Sequence, residues 1–378
     1  MAIASSSNLT ANATARLSGW LRHLGVSPMA FDDTVSLLNP LLAVHHLRAR
    51  VVARQAETPS ATTFVLQAGP AFAGLRAGQH LIVGVTIGGV RHRRAYSPRA
   101  IEGQPGRFAI TVQRQPEGLV SGHLHEQVRV GQVLDIEQAR GDFTLPSPTP
   151  PQVLLIAGGS GITPGIAMLE QLQRQARSTR VTLIYFARSE ADRIFAEALN
   201  RLATSWPSFR YLPIDSVAHT NVAGAPAAPQ VLDRALLDGA LPQWAQVPTF
   251  CCGPAPLMDA ARTLWQAAGA SAQLHLEAFA VARPNGDPLA RHAVHILRES
   301  VPRQFIAPGN ETLLVAGEVA GLALKHGCRQ GICHECTCRL HSGSVRDLQS
   351  GQRIDGEGQP IRLCVTSAMS DLHLESLN

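Results

Sequence analysis

The stretch Cys328-Arg-Gln-Gly-Ile-Cys333-His-Glu-Cys336 carries three cysteines at C-x4-C-x2-C spacing, and Cys364 follows about thirty residues later. This is the ligand pattern of a plant-type [2Fe-2S] cluster, in which each iron takes two thiolates. Gly327 and Gly331 bracket the loop, where the backbone must pass close to the sulfur atoms. The alternative is a structural zinc site, although zinc modules usually pair their ligands in two short knuckles. We therefore predict metal ligands at Cys328, Cys333, Cys336 and Cys364, and a buried neutral thiol at Cys338.

Composition limits the class of protein. The 378 residues have room for two or three domains, and a hydrophobic content of 45% is enough for full cores. The net charge of +5 is modest, lysine occurs once (Lys325), and no clustered basic helix indicates nucleic acid. Seven cysteines, an odd number, together with the cysteine loop favour a reducing compartment, so we expect a cytoplasmic protein.

Membrane insertion and secretion are not expected. No apolar run approaches the length of a membrane span. The first fifteen residues lack the apolar core of a secretory signal. Any membrane contact would therefore be made through a partner, and we expect a monomer.

Residues 1–47 show a helical pattern. Leucine and tryptophan recur at helical spacing over residues 17–24, and the leucines at 37–42 suggest a second short helix around Pro40. We expect a helical cap packed on the next domain. The alternative is a docking segment for a partner or a membrane surface.

From residue 48 the pattern changes to short strands. Gly88-Gly89 between two of them is a hairpin signal. Six strands at this spacing predict an antiparallel β-barrel, closed and small, over residues 48–148, with a short helix at 121–128. The predicted strands are Arg48–Arg54, Thr62–Gln67, His80–Ile87, Val90–Ser97, Arg107–Gln113 and Val133–Ala139.

A proline-rich linker at 146–151 is followed by alternating strands and helices. This alternation predicts an α/β domain with a parallel sheet over residues 149–282. Its predicted strands are Val153–Ala157, Val181–Phe186 and, as the last one, Thr249–Cys252; its predicted helices are Ile166–Arg177, Ile194–Leu202 and Ala255–Ala267. A second linker, Pro284–Pro288, leads to a domain over residues 289–378 that contains the cysteine loop.

Two short motifs in the barrel region suit a nucleotide with a flat ring. In Arg94-Ala95-Tyr96-Ser97, the arginine can neutralise a phosphate, the tyrosine can stack and the serine can bond a ring nitrogen. In Gly118-Leu119-Val120-Ser121, a glycine turn with Ser121 at the N-cap of a helix predicts an anion site for a pyrophosphate. The alternatives are an ordinary strand end and an ordinary capped helix.

Two further motifs lie at the carboxyl edge of the predicted parallel sheet, where open α/β folds bind ligands. Gly158-Gly159-Ser160-Gly161-Ile162-Thr163-Pro164 joins a buried strand to a helix, and its glycines would let a phosphate approach the helix N-terminus. It is not the G-x-G-x-x-G fingerprint. Cys252-Gly253-Pro254 places a thiol at the same edge, with a small buried cysteine as the alternative.

Together with Glu277 and Phe279 in Leu-Glu-Ala-Phe, these motifs resemble, in this order, the ferredoxin–NADP reductase superfamily. More narrowly, the chain is similar to reductase components with a carboxy-terminal plant-type ferredoxin domain. The resemblance covers about residues 48–378 and implies FAD in the barrel, NAD(P)H in the α/β domain and an α+β (β-grasp-like) ferredoxin domain. It assigns Arg94, Tyr96, Ser97, Gly118, Val120 and Ser121 to FAD; Gly158, Gly159, Gly161, Thr163 and Pro164 to the nicotinamide nucleotide; Cys252, Gly253 and Pro254 to the place beside the nicotinamide; and Glu277 and Phe279 to the position that closes the flavin site.

The resemblance implies an electron-transfer enzyme. Hydride from NAD(P)H would pass to the flavin near Ser97 and Cys252, with Glu277 in the same catalytic set, and single electrons would pass to the cluster. The acceptor would be an outside oxygenase or a fatty-acyl desaturase, since the helical extension is similar to that of bacterial desaturase reductases. The alternatives are a redox sensor or assembly protein without turnover, and a flavin reductase without a protein partner.

The choice of nucleotide depends on the end of the second parallel strand, Phe186-Ala187-Arg188-Ser189-Glu190. An arginine there favours a 2′-phosphate, whereas an acidic residue favours a free 2′-hydroxyl. Arg188 therefore predicts NADPH, with NADH possible, and Arg193 is a second candidate for the same phosphate. His334 and Glu335, in the cysteine loop, are candidates for partner contact or for simple solvation.

Overall fold

The computed structural model describes residues 28–217, 219–220, 226–227, 230–279, 284–298 and 301–377. The helix predicted over residues 17–24 lies outside these ranges. The chain forms two compact units, Met1–Glu277 and Ala278–Asn378. In the described ranges, no helix has both the length and the apolar character needed to cross a membrane.

Helix α1, Pro28–Leu38, and a 3-10 turn, Pro40–Leu42, precede the first strand. The buried carboxylate of Asp32 accepts hydrogen bonds of 2.7–2.9 Å from the backbone N–H groups of residues 44–46. Burial by itself would raise the pKa of Asp32, but the three hydrogen bonds together lower it by more. The net shift of the pKa is therefore downward. The carbonyl oxygen of Leu41, in this turn, lies only 1.8 Å from the position that a Cβ atom on Gly69 would take, so the two backbones are in close contact. The described part of the extension therefore packs on the following domain, as expected of a helical cap.

A seven-stranded antiparallel sheet follows, in the order β4-β3-β7-β1-β2-β6-β5. The predicted strands are confirmed with adjusted ends, and the short β5 is additional. The antiparallel barrel is confirmed, but the prediction that it is closed was wrong: β4 and the three-residue β5 are the two edge strands, so the sheet is a half-barrel around a core that includes Phe64, Leu66 and Phe108. The elements are β1 (Arg48–Thr58), β2 (Ala61–Ala68), β3 (Leu81–Ile87), β4 (Val90–Tyr96), β5 (Pro98–Ala100), β6 (Arg107–Gln113), α2 (Leu119–Glu126) and β7 (Val133–Ile136).

The α/β part of the same unit has a parallel sheet in the order β10-β9-β8-β13-β14. Helices cover it, and its core includes Met168, Tyr185 and Trp206. Its elements are β8 (Gln152–Gly158), α3 (Ile162–Gln175), β9 (Arg180–Ala187), α4 (Ala196–Ser205), β10 (Phe209–Asp215), the short β11 (His219–Thr220) and β12 (Pro226–Ala227), α5 (Arg234–Ala240), β13 (Thr249–Cys252), α6 (Ala255–Ala267) and β14 (Leu274–Glu277).

The prediction that Thr249–Cys252 is the last strand was wrong. Strand β14 follows it and pairs with it in parallel at one edge of the sheet, and β10, also unpredicted, forms the opposite edge. Edge strands are half solvated, so they lack the continuous apolar run that marked the inner strands. In β10, Pro213 further weakens the strand signal, and proline is tolerated at an edge.

The second unit has an α+β fold built on two small sheets. The larger is mixed, in the order β16-β15-β22-β17-β20, and the smaller has the order β19-β18-β21. Phe305, Leu313, Leu340 and Leu372 lie in its core. Its elements are β15 (Arg291–Arg298), β16 (Val301–Pro308), α7 (Leu313–Val319), β17 (Thr337–Ser342), β18 (Ser344–Asp347), β19 (Arg353–Asp355), β20 (Gln359–Arg362), β21 (Thr366–Ala368) and β22 (Leu372–Ser376).

Candidate functional site

The glycine turn after β8 contacts the Cys252-Gly253-Pro254 segment after β13. A Cβ on Gly161 would lie 2.1 Å from the carbonyl oxygen of Cys252, and a Cβ on Gly253 would lie 3.0 Å from the backbone nitrogen of Gly158. Two motifs that are far apart in sequence therefore meet at the carboxyl edge of the sheet. The close backbone packing itself requires glycine at these positions, and Gly159, with φ +54°, adopts a left-handed conformation.

Tyr185, which no motif pointed to, holds this turn in place. Its hydroxyl donates to the carbonyl of Gly159 at 3.1 Å and accepts from the backbone N–H of Ile194 at 3.1 Å. The hydroxyl of Thr163 donates to the carbonyl of Ser160 at 3.0 Å, and Pro164 lies in the first turn of α3. These hydrogen bonds fix the first turn of α3, and the dipole of this fourteen-residue helix favours an anion at that end.

Glu277 lies beside Cys252, its partner in the β13–β14 register. One oxygen of its buried carboxyl, Oε2, has no hydrogen-bond partner in the described part of the chain, and the other lies 4.0 Å from Nδ1 of His80. Burial raises the pKa of Glu277 to about 8, so the group carries a proton at neutral pH. Burial also raises the pKa of the Cys252 thiol, which is therefore neutral.

The described structure brings the flavin motif of the barrel next to this carboxyl group. Leu81 pairs with Tyr96 in the β3–β4 ladder, so His80 and Ser97 each lie one residue beyond that pair. The Ser97 hydroxyl is 5% exposed and has no hydrogen-bond partner among the described residues. A buried orphaned hydroxyl is costly unless a ligand satisfies it, which fits a flavin ring at this place. His80 was not predicted as a site residue because a single histidine at the start of a predicted strand is no motif.

Arg94 and Tyr96 occupy the strand that leads to Ser97. The Arg94 guanidinium donates to the carbonyl of Arg93 at 2.8 Å. Tyr96 packs against the barrel core, and burial raises its pKa. The neighbouring Arg93 is engaged by the carboxylate of Glu137. The residue types at this strand end thus fit a flavin nucleotide.

The prediction that Ser121 is the N-cap of its helix was wrong. Gly118 is the N-cap of α2, and Ser121 lies in the first turn, where its hydroxyl donates to the Gly118 carbonyl at 3.1 Å. The same hydroxyl accepts from the backbone N–H of Gln115 at 3.1 Å, so it fixes the glycine turn from inside. Val120 is buried beneath it. A cleft of about 750 Å³ opens at Gly118 and is also lined by Arg114 and His123.

Arg188 directly follows β9 and is 66% exposed. It donates to the carboxylate of Asp192 at 2.7 Å, and the hydroxyl of Ser189 donates to the same carboxylate at 2.9 Å. These bonds lower the pKa of Asp192. Arg193, the second candidate, is paired with the carboxylate of Asp215. The carboxylate of Asp192 therefore lies beside Arg188 at this strand end, and the sequence analysis did not predict this pairing.

The four predicted ligand cysteines form two thiol pairs. Sγ of Cys333 accepts from the backbone N–H of Cys328 at 3.2 Å, and Cys336 is the neighbour of Cys364. Interaction with the neighbouring thiol lowers the pKa of Cys328 and that of Cys336. Within the described ranges, no three Cys, His, Asp or Glu side chains lie together in a way that could hold one metal ion. Two pairs of thiols fit two irons that each take two thiolates.

The loop backbone is shaped around these sulfur atoms. The N–H groups of Gln330 and Cys333 both donate to Sγ of Cys328 at 3.4 Å. Gly331 has φ +74°, and a Cβ there would lie 2.8 Å from the Val365 side chain. Backbone donors of this kind stabilise thiolate ligands. Cys338 is buried, as predicted, and burial raises the pKa of its thiol to about 12.

These features define a class: a reductase in which a flavin domain, a nicotinamide nucleotide domain and a [2Fe-2S] domain follow one another. Three family models match in that order. They are an oxidoreductase FAD-binding domain at residues 48–145, an oxidoreductase NAD-binding domain at 155–263 and a 2Fe-2S iron-sulfur cluster binding domain at 296–369. The chain belongs to the ferredoxin–NADP reductase superfamily, among its members with a carboxy-terminal [2Fe-2S] domain. It is an oxidoreductase whose cofactors are FAD, NAD(P)H and a [2Fe-2S] cluster.

Particular relatives span nearly the whole chain. An NADPH oxidoreductase of Mycobacterium tuberculosis is 34% identical, over 95% of this chain and 93% of the relative. The glycine betaine monooxygenase reductase subunit of Chromohalobacter salexigens is 27% identical, over 82% of this chain and 90% of its own. The structure of phthalate dioxygenase reductase, described as modular and built for electron transfer from pyridine nucleotides to [2Fe-2S], matches with a TM-score of 0.60 and 25% identity. It covers 88% of this chain and 98% of that one.

Proposed function

We propose that the chain is the reductase component of an oxygenase system, which takes hydride from NAD(P)H and delivers single electrons to a separate oxygenase. The observation that carries the proposal is the approach of His80 to Glu277 at 4.0 Å. It places the end of the barrel that bears Ser97 at the carboxyl edge of the parallel sheet that bears Cys252. A flavin ring and a nicotinamide could meet only where these two parts adjoin.

The residues where the half-barrel meets the parallel sheet have complementary roles. Tyr96 stacks on the flavin ring, Arg94 neutralises the phosphates, and the Gly118 turn presents backbone N–H groups to them. The unpartnered Ser97 hydroxyl bonds the ring. Cys252, small and neutral, leaves room for the nicotinamide, and Glu277 holds a proton near the reacting atoms.

The bound flavin would accept two electrons as hydride and release them singly, and the cluster would carry one at a time. Cys328 and Cys333 would hold one iron, and Cys336 and Cys364 would hold the other. Cys333 is half-buried whereas the other three are buried. The protein therefore exposes the cluster most at Cys333, and we place the oxygenase contact on that side.

We propose NADPH as the preferred nucleotide. Arg188 is exposed at the end of β9, the place where a 2′-phosphate is bound in related α/β folds. The Arg188 guanidinium must break its hydrogen bond to Asp192 before it can bind the 2′-phosphate. We therefore expect a moderate preference for NADPH over NADH. The name of the Mycobacterium tuberculosis relative agrees with this choice.

An oxygenase is a better candidate for the acceptor than a desaturase. Two of the similar proteins are reductases of a monooxygenase and of a dioxygenase by name. The desaturase alternative depends on residues 1–47 alone. We place the protein in the cytoplasm, because a reducing environment keeps the thiols available for iron. We also propose that it is a monomer.

An anaerobic titration with NADPH and then with NADH, followed by visible absorbance, tests this function. We expect flavin and cluster bands to bleach at low NADPH concentration and at higher NADH concentration. Bleaching at low NADH alone would refute the role of Arg188. A coloured protein that neither nucleotide bleaches would refute the reductase and favour the redox sensor. A reduced protein that passes electrons to ferricyanide but to no oxygenase component would favour the partner-free flavin reductase.

A further inference from the structure

Gln330, in the middle of the cysteine loop, makes a hydrogen bond to the beginning of the linker that precedes the [2Fe-2S] domain. Its side-chain Nε2 donates to the backbone carbonyl of Phe279 at 2.7 Å, and its own backbone N–H donates to Sγ of Cys328 at 3.4 Å. All three residues belong to the unit Ala278–Asn378. A single residue therefore connects the segment at Phe279 to a thiol of the candidate cluster site.

The position of Gln330 is fixed by its neighbours. Its carbonyl accepts from Nε2 of Gln349 at 2.8 Å, and a Cβ on Gly331 would lie 3.0 Å from the same amide group. Arg362 donates to the carbonyl of Gly331 and pairs with Asp347 at 3.2 Å. Because the loop is held from this side, the Gln330 side chain has a defined direction, toward Phe279.

Phe279 follows Glu277 by two residues in the chain, and Glu277 belongs to the proposed hydride-transfer site. We propose that Gln330 is a positioning residue for the one-electron step, because it fixes the beginning of the linker, at Phe279, to the cysteine loop within the second unit. The proposal rests on the proposed function. In the step, one electron from the bound flavin would reduce one ferric ion of the cluster to ferrous, and the one proton of the reduced flavin would pass to water once both electrons have left.

The variant Gln330→Met tests the proposal, because it keeps the length of the side chain and removes the donor to Phe279. Stopped-flow absorbance of the complete protein with NADPH separates the two steps. We expect flavin reduction at the wild-type rate and cluster reduction slower by about tenfold or more, since a misplacement of about 1 Å can slow a reaction by about a hundredfold. The low-temperature EPR spectrum of the cluster should be unchanged, since the backbone bond to Cys328 remains. Gln359→Met, at an exposed position of β20, is the matched control and should change neither rate.

A second measurement does not depend on turnover. Hydrogen–deuterium exchange of peptides spanning residues 274–290 should be faster in Gln330→Met than in Gln359→Met or wild type. Wild-type cluster-reduction rates together with wild-type exchange in Gln330→Met would overturn the proposal, as would equal slowing of flavin and cluster reduction. A wild-type protein whose cluster is never reduced by NADPH would refute the proposed function instead, and the exchange comparison would still decide whether Gln330 holds the segment.

Discussion

Nδ1 of His80 lies 4.0 Å from Oε1 of Glu277, and the second oxygen of that carboxyl has no hydrogen-bond partner among the described residues. His80 precedes β3 of the half-barrel, and Glu277 ends β14 of the parallel sheet. Burial, with a contribution from Arg140, lowers the pKa of His80, so both groups are neutral near pH 7. His80 and Glu277 thus form an uncharged polar site between the half-barrel and the parallel sheet.

Replacing Glu277 by glutamine should change how stability depends on pH. The folded pKa of about 8 exceeds the unfolded value of 4.5, so the folded state binds the proton more tightly. The contribution of Glu277 is fully present below pH 4.5 and is lost as the pH rises toward 8 and beyond. We expect the unfolding free energy of the wild type to fall by about 3 kcal/mol more than that of Glu277→Gln between pH 5 and pH 8. Urea unfolding at both pH values measures this, and parallel pH curves would contradict a buried protonated carboxyl.

Gly161→Ala should be destabilising because its Cβ would lie 2.1 Å from the carbonyl oxygen of Cys252. Backbone atoms must move apart, and overpacking of this kind costs about 1–3 kcal/mol. The same movement should weaken NADPH binding. Gly165→Ala, four residues later in α3, is the matched control: the nearest neighbour of its Cβ would be a side-chain atom of Ile162 at 3.7 Å. That change should stabilise by about 0.5–1 kcal/mol. Thermal unfolding and NADPH titration compare the two variants, and equal behaviour would contradict the close packing of the two motifs.

Arg188→Ala should raise the KM for NADPH by about tenfold or more and leave the KM for NADH nearly unchanged. The reason is that a phosphate–guanidinium contact is worth roughly 1.5–3 kcal/mol, and NADH lacks the phosphate. Arg201→Ala removes a similarly exposed arginine that pairs with Glu197 on α4, and it should change neither KM. Steady-state ferricyanide reduction with each nucleotide measures the effect. Equal losses for NADPH and NADH would show that Arg188 does not read the 2′-phosphate.

Cys336→Ser and Cys338→Ser should differ sharply, although both thiols are buried and lie two residues apart. The first change removes a proposed iron ligand, so the cluster absorbance and EPR signal should be lost while NADPH-driven ferricyanide reduction by the flavin persists. The second should keep the cluster, at a cost of about 1–3 kcal/mol for burying a hydroxyl without a designed partner. Iron analysis and EPR of both variants test the ligand set, and loss of iron in Cys338→Ser alone would reverse the assignment.

The sequence by itself determined the class of this protein and the order of its β-barrel, α/β and α+β domains, whereas the tertiary structure showed that the barrel is not closed. The sequence could do so because the signals are local. The cysteine spacing, the glycine turns and Arg94-x-Tyr96-Ser97 each lie within a few residues, and strand and helix periodicities are properties of single elements. The inner strands were found because both of their faces are apolar.

The tertiary structure alone decided which of these residues meet. The contacts of His80 with Glu277, of Gly161 with Cys252 and of Gln330 with Phe279 join positions separated by 51 to 197 residues in the chain. Such contacts follow from strand order and register, which no local pattern encodes. The same holds for β14, an edge strand whose half-solvated face gave no apolar run. The sequence supplied the chemistry of the sites, and folding supplied their neighbours, burial and protonation states.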